Sequence, residues 1–159
     1  MPTTTPDLSE LWDALRALPN SGPAGFEGLL AAAFEELLDV PFRLAKSGSQ
    51  FGMDGKAVDS NAPVCFEAKL YLDTVPSSEV LNKLLALAIR NDPTELWVLG
   101  ATSGVSTQTA DDLNASGRTL GISTLILDWQ GDSPVLAAVL VAAHQSVRKF
   151  LLQHVEDAT

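Results

Sequence analysis

Three short segments typical of β-strands follow one another in the first half of the chain, with helical patterns before and after them. They are FRLA, GMDGKAV and VCFEAKLY, and the turn-forming stretches SGSQ and DSNAP separate them. Two later strand patterns, TELWVLGA and LGISTLILDW, each follow a helical pattern instead. Consecutive strands favour antiparallel pairing, whereas strands that alternate with helices favour parallel pairing. The sequence therefore predicts an α/β fold in which helices flank a mixed central sheet.

Five segments have apolar residues at helical spacing. They are a first helix that ends near Pro19, FEGLLAAAFEELL, VLNKLLALAIRN, Ser106 to Ala115, and a last helix with Pro134 at its first position that runs to about Val155. The apolar positions of the second helix form a broad face that we expect to be buried: Phe26, Leu29, Leu30, Ala33, Phe34, Leu37 and Leu38. The predicted element order is ααβββαβαβα.

The composition is that of one folded domain. With 159 residues, 46% of them hydrophobic and 19% charged, the chain is long enough to bury a sheet and its helices. The lone Cys65 cannot form an internal disulfide, which is typical of a reducing compartment. The sequence begins without a secretory signal pattern, and its most apolar run, VLAAVLVAA, is far shorter than the about 20 residues that span a bilayer. We therefore expect a cytoplasmic protein with no membrane partner.

Charge is distributed unevenly along the sequence. The net charge of −10 argues against a general nucleic-acid coat, because phosphate binding depends on clustered Lys and Arg side chains. Between Pro41 and Tyr71, however, basic residues outnumber acidic ones. The basic residues are Arg43, Lys46, Lys56 and Lys69, and the acidic ones are Asp54, Asp59 and Glu67. The strand region thus carries a charge opposite in sign to that of the whole chain.

Three charged residues of this region are predicted to meet on the sheet. Side chains alternate along VCFEAKLY, so Glu67 and Lys69 share one face. A turn at Ser60 and Asn61 leads back to the preceding strand and sets Asp54 opposite Glu67. Directly opposed carboxylates have Cβ atoms about 5 Å apart, and they repel each other unless one is protonated or a cation lies between them.

These residue types suit the hydrolysis of a phosphodiester. Mg²⁺ and Mn²⁺ prefer oxygen ligands, so a divalent cation fits between Asp54 and Glu67. Lys69, one pleat away, would hold a water molecule or a phosphate oxygen near that cation. A Lewis acid, an activated water and a positive charge for the developing anion are the parts that metal-assisted hydrolysis needs.

The same residues resemble a known motif. Asp54 lies in the glycine-flanked turn GMDG, and twelve residues separate it from the EAK of Glu67 to Lys69. This D…ExK pattern resembles the PD-(D/E)XK, or restriction-endonuclease-like, nucleases, and among them the Mrr-like branch. The similarity covers about residues 25–129, including the FEGLLAAAFEELL helix, ELWVLGATSGVSTQTADDL and GISTLILDW. The sequence departs from the family pattern at Met53, where a Pro would stand.

The resemblance implies an αβββαβ core and a Mg²⁺-dependent endonuclease, with Mn²⁺ able to substitute, that hydrolyses phosphodiester bonds of DNA. Asp54, Glu67 and the Ala68 carbonyl would hold the metal. Lys69 would orient the nucleophilic water, and Glu27 of the first core helix would face the metal. Similar chains occur as the N-terminal nuclease of larger bacterial proteins, so the resemblance also implies a role in restriction or antiviral defence.

We expect residues 1–159 to form a single nuclease domain. The family resemblance covers the core of this domain but not its C-terminal segment. A helix is predicted there over about 133–155, and its apolar stripe is longer than a small sheet needs. We expect this stripe to pack on a second copy of the chain, as a homo-oligomer, or on further domains of a longer chain. Its members are Leu136, Val139, Leu140, Ala143, Val147, Phe150 and Leu151.

Other interpretations of the sequence stay open. Gln50, Lys56 and Tyr71 are candidate substrate-binding residues, although each is also typical of an ordinary turn or strand face. The stretch VLGATSGVS contains glycines typical of a dinucleotide loop, but it lacks the third one, which favours an ordinary strand-to-helix turn. Two other functions compete with catalysis: a nuclease fold that serves only in nucleic-acid binding or assembly, and a purely structural interaction module.

Overall fold

A five-stranded mixed sheet forms the centre of the protein. The computed structural model describes residues 8–19, 22–44, 54–58, 64–70, 75–89, 94–130 and 134–154. The strands, in their order across the sheet, are β1 (Phe42–Leu44), β2 (Gly55–Ala57), β3 (Val64–Lys69), β4 (Leu96–Ala101) and β5 (Ser123–Leu127). β2 pairs antiparallel with both β1 and β3, whereas β4 pairs parallel with both β3 and β5. A helix connects each parallel strand to the next along the chain. The mixed sheet predicted from the strand pattern is thus confirmed.

Helices cover both faces of this sheet. They are α1 (Leu8–Arg16), α2 (Phe26–Leu38), α3 (Ser77–Ile89), α4 (Thr107–Leu120), α5 (Val135–Ala142) and α6 (His144–His154). A first core cluster joins α1, α2, α5 and α6 to one face, and a second core cluster joins α3 and α4 to the other. The alternation of β3 separates the two, because Phe66 and Ala68 lie in the first cluster and Cys65 in the second.

An aromatic cluster holds the antiparallel strands against α2. The ring centroid of Phe66 lies 5.4 Å from that of Phe34 and 6.1 Å from that of Phe42. Gly55 is opposite Phe66, and a Cβ at Gly55 would meet the Phe66 ring at 2.2 Å. Phe66 is completely buried, which stabilises the fold by about 1.5–3 kcal/mol. The glycine therefore lets the ring lie across β2, and this contact fixes the register of β2 on β3.

The buried face of α2 is shorter than predicted. Its first turns are buried, but Leu37 and Leu38, which we expected in the core, are 42% and 46% exposed. In this last part of the helix Glu36 instead accepts hydrogen bonds from the backbone N–H of Ser146, at 3.0 Å, and from its Oγ, at 3.2 Å. The first turn of α6 presents backbone N–H groups that need an acceptor. A polar contact therefore replaces the apolar packing expected at the end of α2.

The segment between β4 and β5 is a strand-to-helix turn followed by a helix longer than predicted. Ser106 caps α4, since its Oγ accepts a hydrogen bond from the backbone N–H of Thr109. The helix passes its predicted end at Ala115 and ends at Gly121, which has φ 73°. A Cβ at Gly117 would meet the carbonyl oxygen of Ile122 at 2.6 Å. Gly117 therefore lies inside the helix because the chain returns closely past it into β5.

The prediction of a single C-terminal helix over about residues 133–155 is wrong. Two helices, α5 and α6, occupy this segment and meet at 94° around Ala143, and Pro134 is the N-cap of α5 instead of its first helical residue. The bend brings both halves of the expected apolar stripe onto the first core cluster. The buried members are Leu136, Leu140, Ala143, Val147 and Phe150, and Val139 and Leu151 pack against them. This packing buries most of the stripe, and Leu140, Val147 and Leu151 also line an open apolar pocket of about 310 Å³ between α1, α5 and α6.

No single helix in the described ranges is long and apolar enough to cross a bilayer. Only α5 and α6 taken together meet that length and composition, and the sharp angle of 94° separates them. Many of their apolar side chains lie in the first core cluster, whereas Val135, Val141 and Leu152 are exposed.

Candidate active site

Asp54 lies directly before β2, opposite the middle of β3. β2 pairs with β3 at Gly55 with Phe66 and at Lys56 with Cys65, in the predicted register, and Asp54 directly precedes the first of these pairs. The backbone N–H of Asp54 donates to the carbonyl oxygen of Phe66 over 2.7 Å. Its carboxylate Oδ2 accepts a hydrogen bond of 2.7 Å from the backbone N–H of Ala68. Two contacts with β3 therefore hold the Asp54 carboxylate beside the EAK segment.

Glu67 is a carboxylate in the middle of β3 that is only 1% exposed. Its Oε1 lies 3.0 Å from Lys69 Nζ, on the face that the two residues were predicted to share. Its Oε2 is also buried and forms no hydrogen bond with any residue that the structure describes. Burial and then the negative charge of Asp54 raise the pKa of Glu67 from 4.5 to about 7, against the lowering effect of Lys69. Such a buried oxygen costs free energy unless a ligand binds it.

Lys69 is the last residue of β3 and lies between two carboxylates. Its Nζ is 3.0 Å from Glu67 Oε1 and 3.0 Å from Glu79 Oε1. Burial lowers the pKa of Lys69, but Glu67 and Glu79 more than offset this effect and hold the pKa above its usual value. The side chain is therefore a fixed positive charge, oriented from β3 and from α3.

Two charged residues of α3, Glu79 and Lys83, also contact the candidate site, although the sequence did not predict them as site residues. Glu79 and Lys83 lie four residues apart, so both are on one side of the helix. Glu79 pairs with Lys69, and Lys83 Nζ lies 4.0 Å from Glu67 Oε1. The signal available in the sequence was this spacing at the start of the helix that follows the EAK strand. Each of these two α3 side chains thus lies beside a β3 side chain of opposite charge.

Glu27 lies in the first turn of α2 and is 8% exposed. Its Oε2 accepts a hydrogen bond of 3.1 Å from the backbone N–H of Gly22. The preceding loop packs so closely on the helix that a Cβ at Gly28 would meet the carbonyl oxygen of Pro23 at 2.1 Å. Burial raises the pKa of Glu27 to about 7, the Gly22 hydrogen bond lowers it, and the nearby Asp54 carboxylate raises it. The structure therefore brings Glu27 close to Asp54.

The peptide group of Ala68 faces the same side of β3 as Asp54. The carbonyl oxygen of Lys69 accepts a hydrogen bond of 3.0 Å from the backbone N–H of Thr102, at the end of β4. Successive peptide groups of a strand point to opposite sides. The Ala68 carbonyl therefore points away from β4, toward Asp54, to which the Ala68 N–H donates.

The predicted substrate-binding residues are only partly placed. Lys56 lies in β2, is half-buried, and is opposite Cys65 on the face of the sheet that carries Glu67 and Lys69. Gln50 and Tyr71 lie outside the described residues. Cys65 itself is buried in the second core cluster, with its Sγ 3.5 Å from Thr94 Oγ1, and takes no part in the site.

The donor atoms around Asp54 suit a hard divalent cation. The negative charge of Asp54 raises the pKa of both Glu27 and Glu67, because it repels each of these two carboxylates. Within the described ranges, no group of three or more His, Cys, Asp or Glu side chains is arranged to hold a metal ion. Mg²⁺, however, commonly uses only one or two carboxylates and keeps several waters. Asp54, the buried Oε2 of Glu67 and the Ala68 carbonyl fit that coordination.

Comparison with known proteins identifies the fold. No family model matches the sequence, and no curated protein matches it. Among solved structures, the chain is similar to the MspJI restriction endonuclease in complex with a 27-mer oligonucleotide, with a TM-score of 0.56 and 15% sequence identity. The likeness covers 98% of this chain and 37% of that one. The protein therefore has a restriction-endonuclease-like fold, as the sequence predicted.

Proposed function

We propose that the protein is a metal-dependent endonuclease of the PD-(D/E)XK type, in its Mrr-like branch, and that its substrate is DNA. The observation that carries this proposal is the convergence of Asp54 with Glu67 and Lys69 around a buried carboxylate oxygen that has no hydrogen-bond partner in the described part of the chain. The similar structure is a restriction endonuclease with a bound oligonucleotide, which supports DNA as the partner.

Asp54, Glu67 and the Ala68 carbonyl would hold Mg²⁺, or Mn²⁺ in its place. When bound, such a cation supplies an activated water and a Lewis acid for the phosphate. Glu67 would bind in its ionised form. Because burial and the charge of Asp54 raise its pKa to about 7, metal binding and loss of this proton are coupled.

Lys69 would orient the attacking water and stabilise the negative charge that develops on the phosphate. Its ammonium group is already fixed between Glu67 and Glu79, so little reorganisation is needed when the substrate binds. Glu27 would face the metal from α2. Its pKa of about 7 allows it to take up or release a proton at neutral pH.

The biological setting follows from the same family resemblance. The nuclease would act in the bacterial cytoplasm, in restriction or antiviral defence. It would work as a homo-oligomer or together with further domains, since the similarity to MspJI spans 37% of that chain.

Plasmid cleavage tests the proposal. Supercoiled plasmid is incubated with the wild-type protein in Mg²⁺, Mn²⁺ or EDTA. The Glu67→Gln variant is tested in parallel, because this substitution removes the charge but keeps the size of the side chain. Cleavage should need either metal and should be lost in the variant, whereas Glu10→Gln, an exposed change in α1, should cleave normally. Cleavage in EDTA, or full activity of Glu67→Gln, would contradict the proposal. A protein that binds DNA but never cleaves it would be the catalytically silent alternative.

A further inference from the structure

We infer that Arg43 and Lys56 form a binding site for the backbone phosphates of a nucleic-acid strand, beside the candidate active site. The inference rests on the proposed function, because it takes a nucleic acid as the ligand. The two residues are directly opposite each other in the antiparallel pair of β1 and β2. Arg43 was not a candidate site residue in the sequence analysis, and Lys56 was one only as an isolated position.

The pairing of Arg43 with Lys56 is unfavourable in the free protein. Directly opposed side chains of neighbouring strands have Cβ atoms about 5 Å apart, and like charges in such a pair repel each other. Neither residue forms an ion pair with any residue that the structure describes, whereas Lys69 and Lys83 do. An anion between the two side chains would turn this repulsion into two charge-assisted contacts. A phosphodiester group is an anion of that kind.

The pair also lies on the side of the hairpin that the helices leave uncovered. Phe42 and Leu44 pack against the first core cluster, so Arg43, between them, faces the opposite side of the sheet. The second core cluster, formed there by α3 and α4, includes no described residue of β1 or β2. Arg43 is accordingly exposed and Lys56 is half-buried. A ligand can therefore reach both side chains.

The position of the pair suits the strand that would be cut. Lys56 is opposite Cys65, which precedes Glu67 by two residues on the same face of β3. Asp54 likewise precedes Lys56 by two residues. At about 3.4 Å per residue, the basic pair lies about 7 Å along the strands from the two carboxylates. A nucleic-acid strand with one phosphate between Arg43 and Lys56 would therefore lie near the carboxylates of Asp54 and Glu67. The basic pair also supplies local positive charge in a chain whose net charge is −10.

DNA binding in EDTA tests this site separately from cleavage. The anisotropy of a labelled duplex gives the affinity over a series of salt concentrations. Arg43→Ala and Lys56→Ala should each weaken binding by about five- to tenfold and reduce the salt slope by about one, whereas Arg43→Lys should keep most of the slope. Arg118→Ala in α4 and Lys149→Ala in α6 are matched controls, because they remove the same charge from exposed positions elsewhere. These controls should leave the salt slope unchanged.

A charge reversal adds a readout that a structural role cannot produce. Arg43→Glu replaces the repulsion by an ion pair with Lys56, so it should raise the Tm while it weakens DNA binding. Unchanged affinity and slope in both alanine variants, or no DNA binding by the wild type, would overturn the inference. If binding depends on the pair but no cleavage occurs, the proposed nuclease is contradicted and the phosphate site stands. If cleavage occurs and the alanine variants bind normally, only the site is contradicted.

Discussion

Lys69 at the end of β3 forms an ion pair with Glu79 in the first turn of α3, with 3.0 Å between Nζ and Oε1. Glu67 contacts the same ammonium group at 3.0 Å. The lysine is therefore held by two carboxylates, and only one of them belongs to the motif. A charge that is fixed before the substrate arrives stabilises a transition state without further reorganisation. Glu79 is thus a positioning residue for Lys69 in the proposed reaction.

Glu79→Gln should lower the rate of cleavage by about tenfold and leave metal affinity unchanged, because only the orientation of Lys69 is lost. The Glu79 side chain is 41% exposed, so the free energy of unfolding should change by less than about 1 kcal/mol. Single-turnover cleavage, Mn²⁺ calorimetry and the Tm are compared with those of Glu10→Gln, an exposed control in α1. An unchanged rate would mean that Glu79 does not position the lysine. A parallel loss of Mn²⁺ binding would assign it a different role.

Asp54→Asn and Lys69→Ala should separate metal binding from chemistry. The asparagine keeps an oxygen for the backbone N–H of Ala68 but removes the charge, so Mn²⁺ binding measured by calorimetry should be lost. Lys69→Ala removes a group that cannot ligate a cation, so Mn²⁺ binding should remain while cleavage falls by about 10²–10³-fold. Equal Mn²⁺ binding by the wild type and Asp54→Asn would rule out the metal site. Full cleavage by Lys69→Ala would rule out the mechanism.

The metal-free protein should lose stability between about pH 4.5 and about pH 7 through Glu67. The pKa of Glu67 is raised from 4.5 to about 7 in the folded protein. Between these values the folded protein keeps a proton that the unfolded chain has released, so the free energy of unfolding falls as the pH rises. This contribution is fully present below the unfolded pKa and is lost above the folded one.

Glu67→Gln isolates this effect, because glutamine does not titrate and the other groups cancel in the comparison. The difference in Tm, variant minus wild type, measured in EDTA, should grow as the pH rises from about 5 to about 7.5. The same comparison is then made in the Asp54→Asn background, as the Tm of the double variant minus that of Asp54→Asn. This difference in Tm should depend less on pH, since the charge of Asp54 helps to raise the pKa of Glu67. A constant difference between Glu67→Gln and the wild type would show that the pKa of Glu67 is not raised.

The central hairpin could be predicted because its information is local. The alternation of VCFEAKLY and one short turn predicted the register of β2 on β3, which is confirmed where Gly55 is opposite Phe66 and Lys56 is opposite Cys65. Glycine at position 55 adds to this, since the ring of Phe66 can lie over no other residue type there without a clash. The bounds of α2 were likewise given by its apolar period and by the change of period after Asp39.

The parts that were missed depend on tertiary contacts. The role of Glu79 follows from where α3 crosses the end of β3, which its helical pattern does not specify. The bend at Ala143 has no Pro or Gly to mark it, and the apolar spacing continues through it, so the sequence predicted one straight helix. Leu37 and Leu38 fit the apolar face of α2, but the neighbouring turn of α6 is contacted through Glu36 instead.

Joining two copies should convert single-strand nicking into double-strand cleavage. Each chain offers one candidate site with Asp54, Glu67 and Lys69, and in the proposed reaction one site would hydrolyse one strand at a time. A symmetric pair would supply the second site. The net charge of −10 repels DNA, and salt screens this repulsion only beyond about 8 Å, so a single copy should bind weakly. Most of the apolar stripe of α5 and α6 packs in the chain's own core, and Leu140, Val147 and Leu151 also line an open apolar pocket.

A fusion to a dimeric carrier provides that association. The control is the same carrier with a substitution that makes it monomeric, and both proteins are compared at equal concentration of sites on supercoiled plasmid. Linking two sites raises the effective concentration of the second one at the nicked strand, so linear product should form at least about tenfold faster with the dimer. The monomeric form should accumulate nicked circles first. Equal rates, with linear product from both forms, would show that the second strand is cut without a second copy.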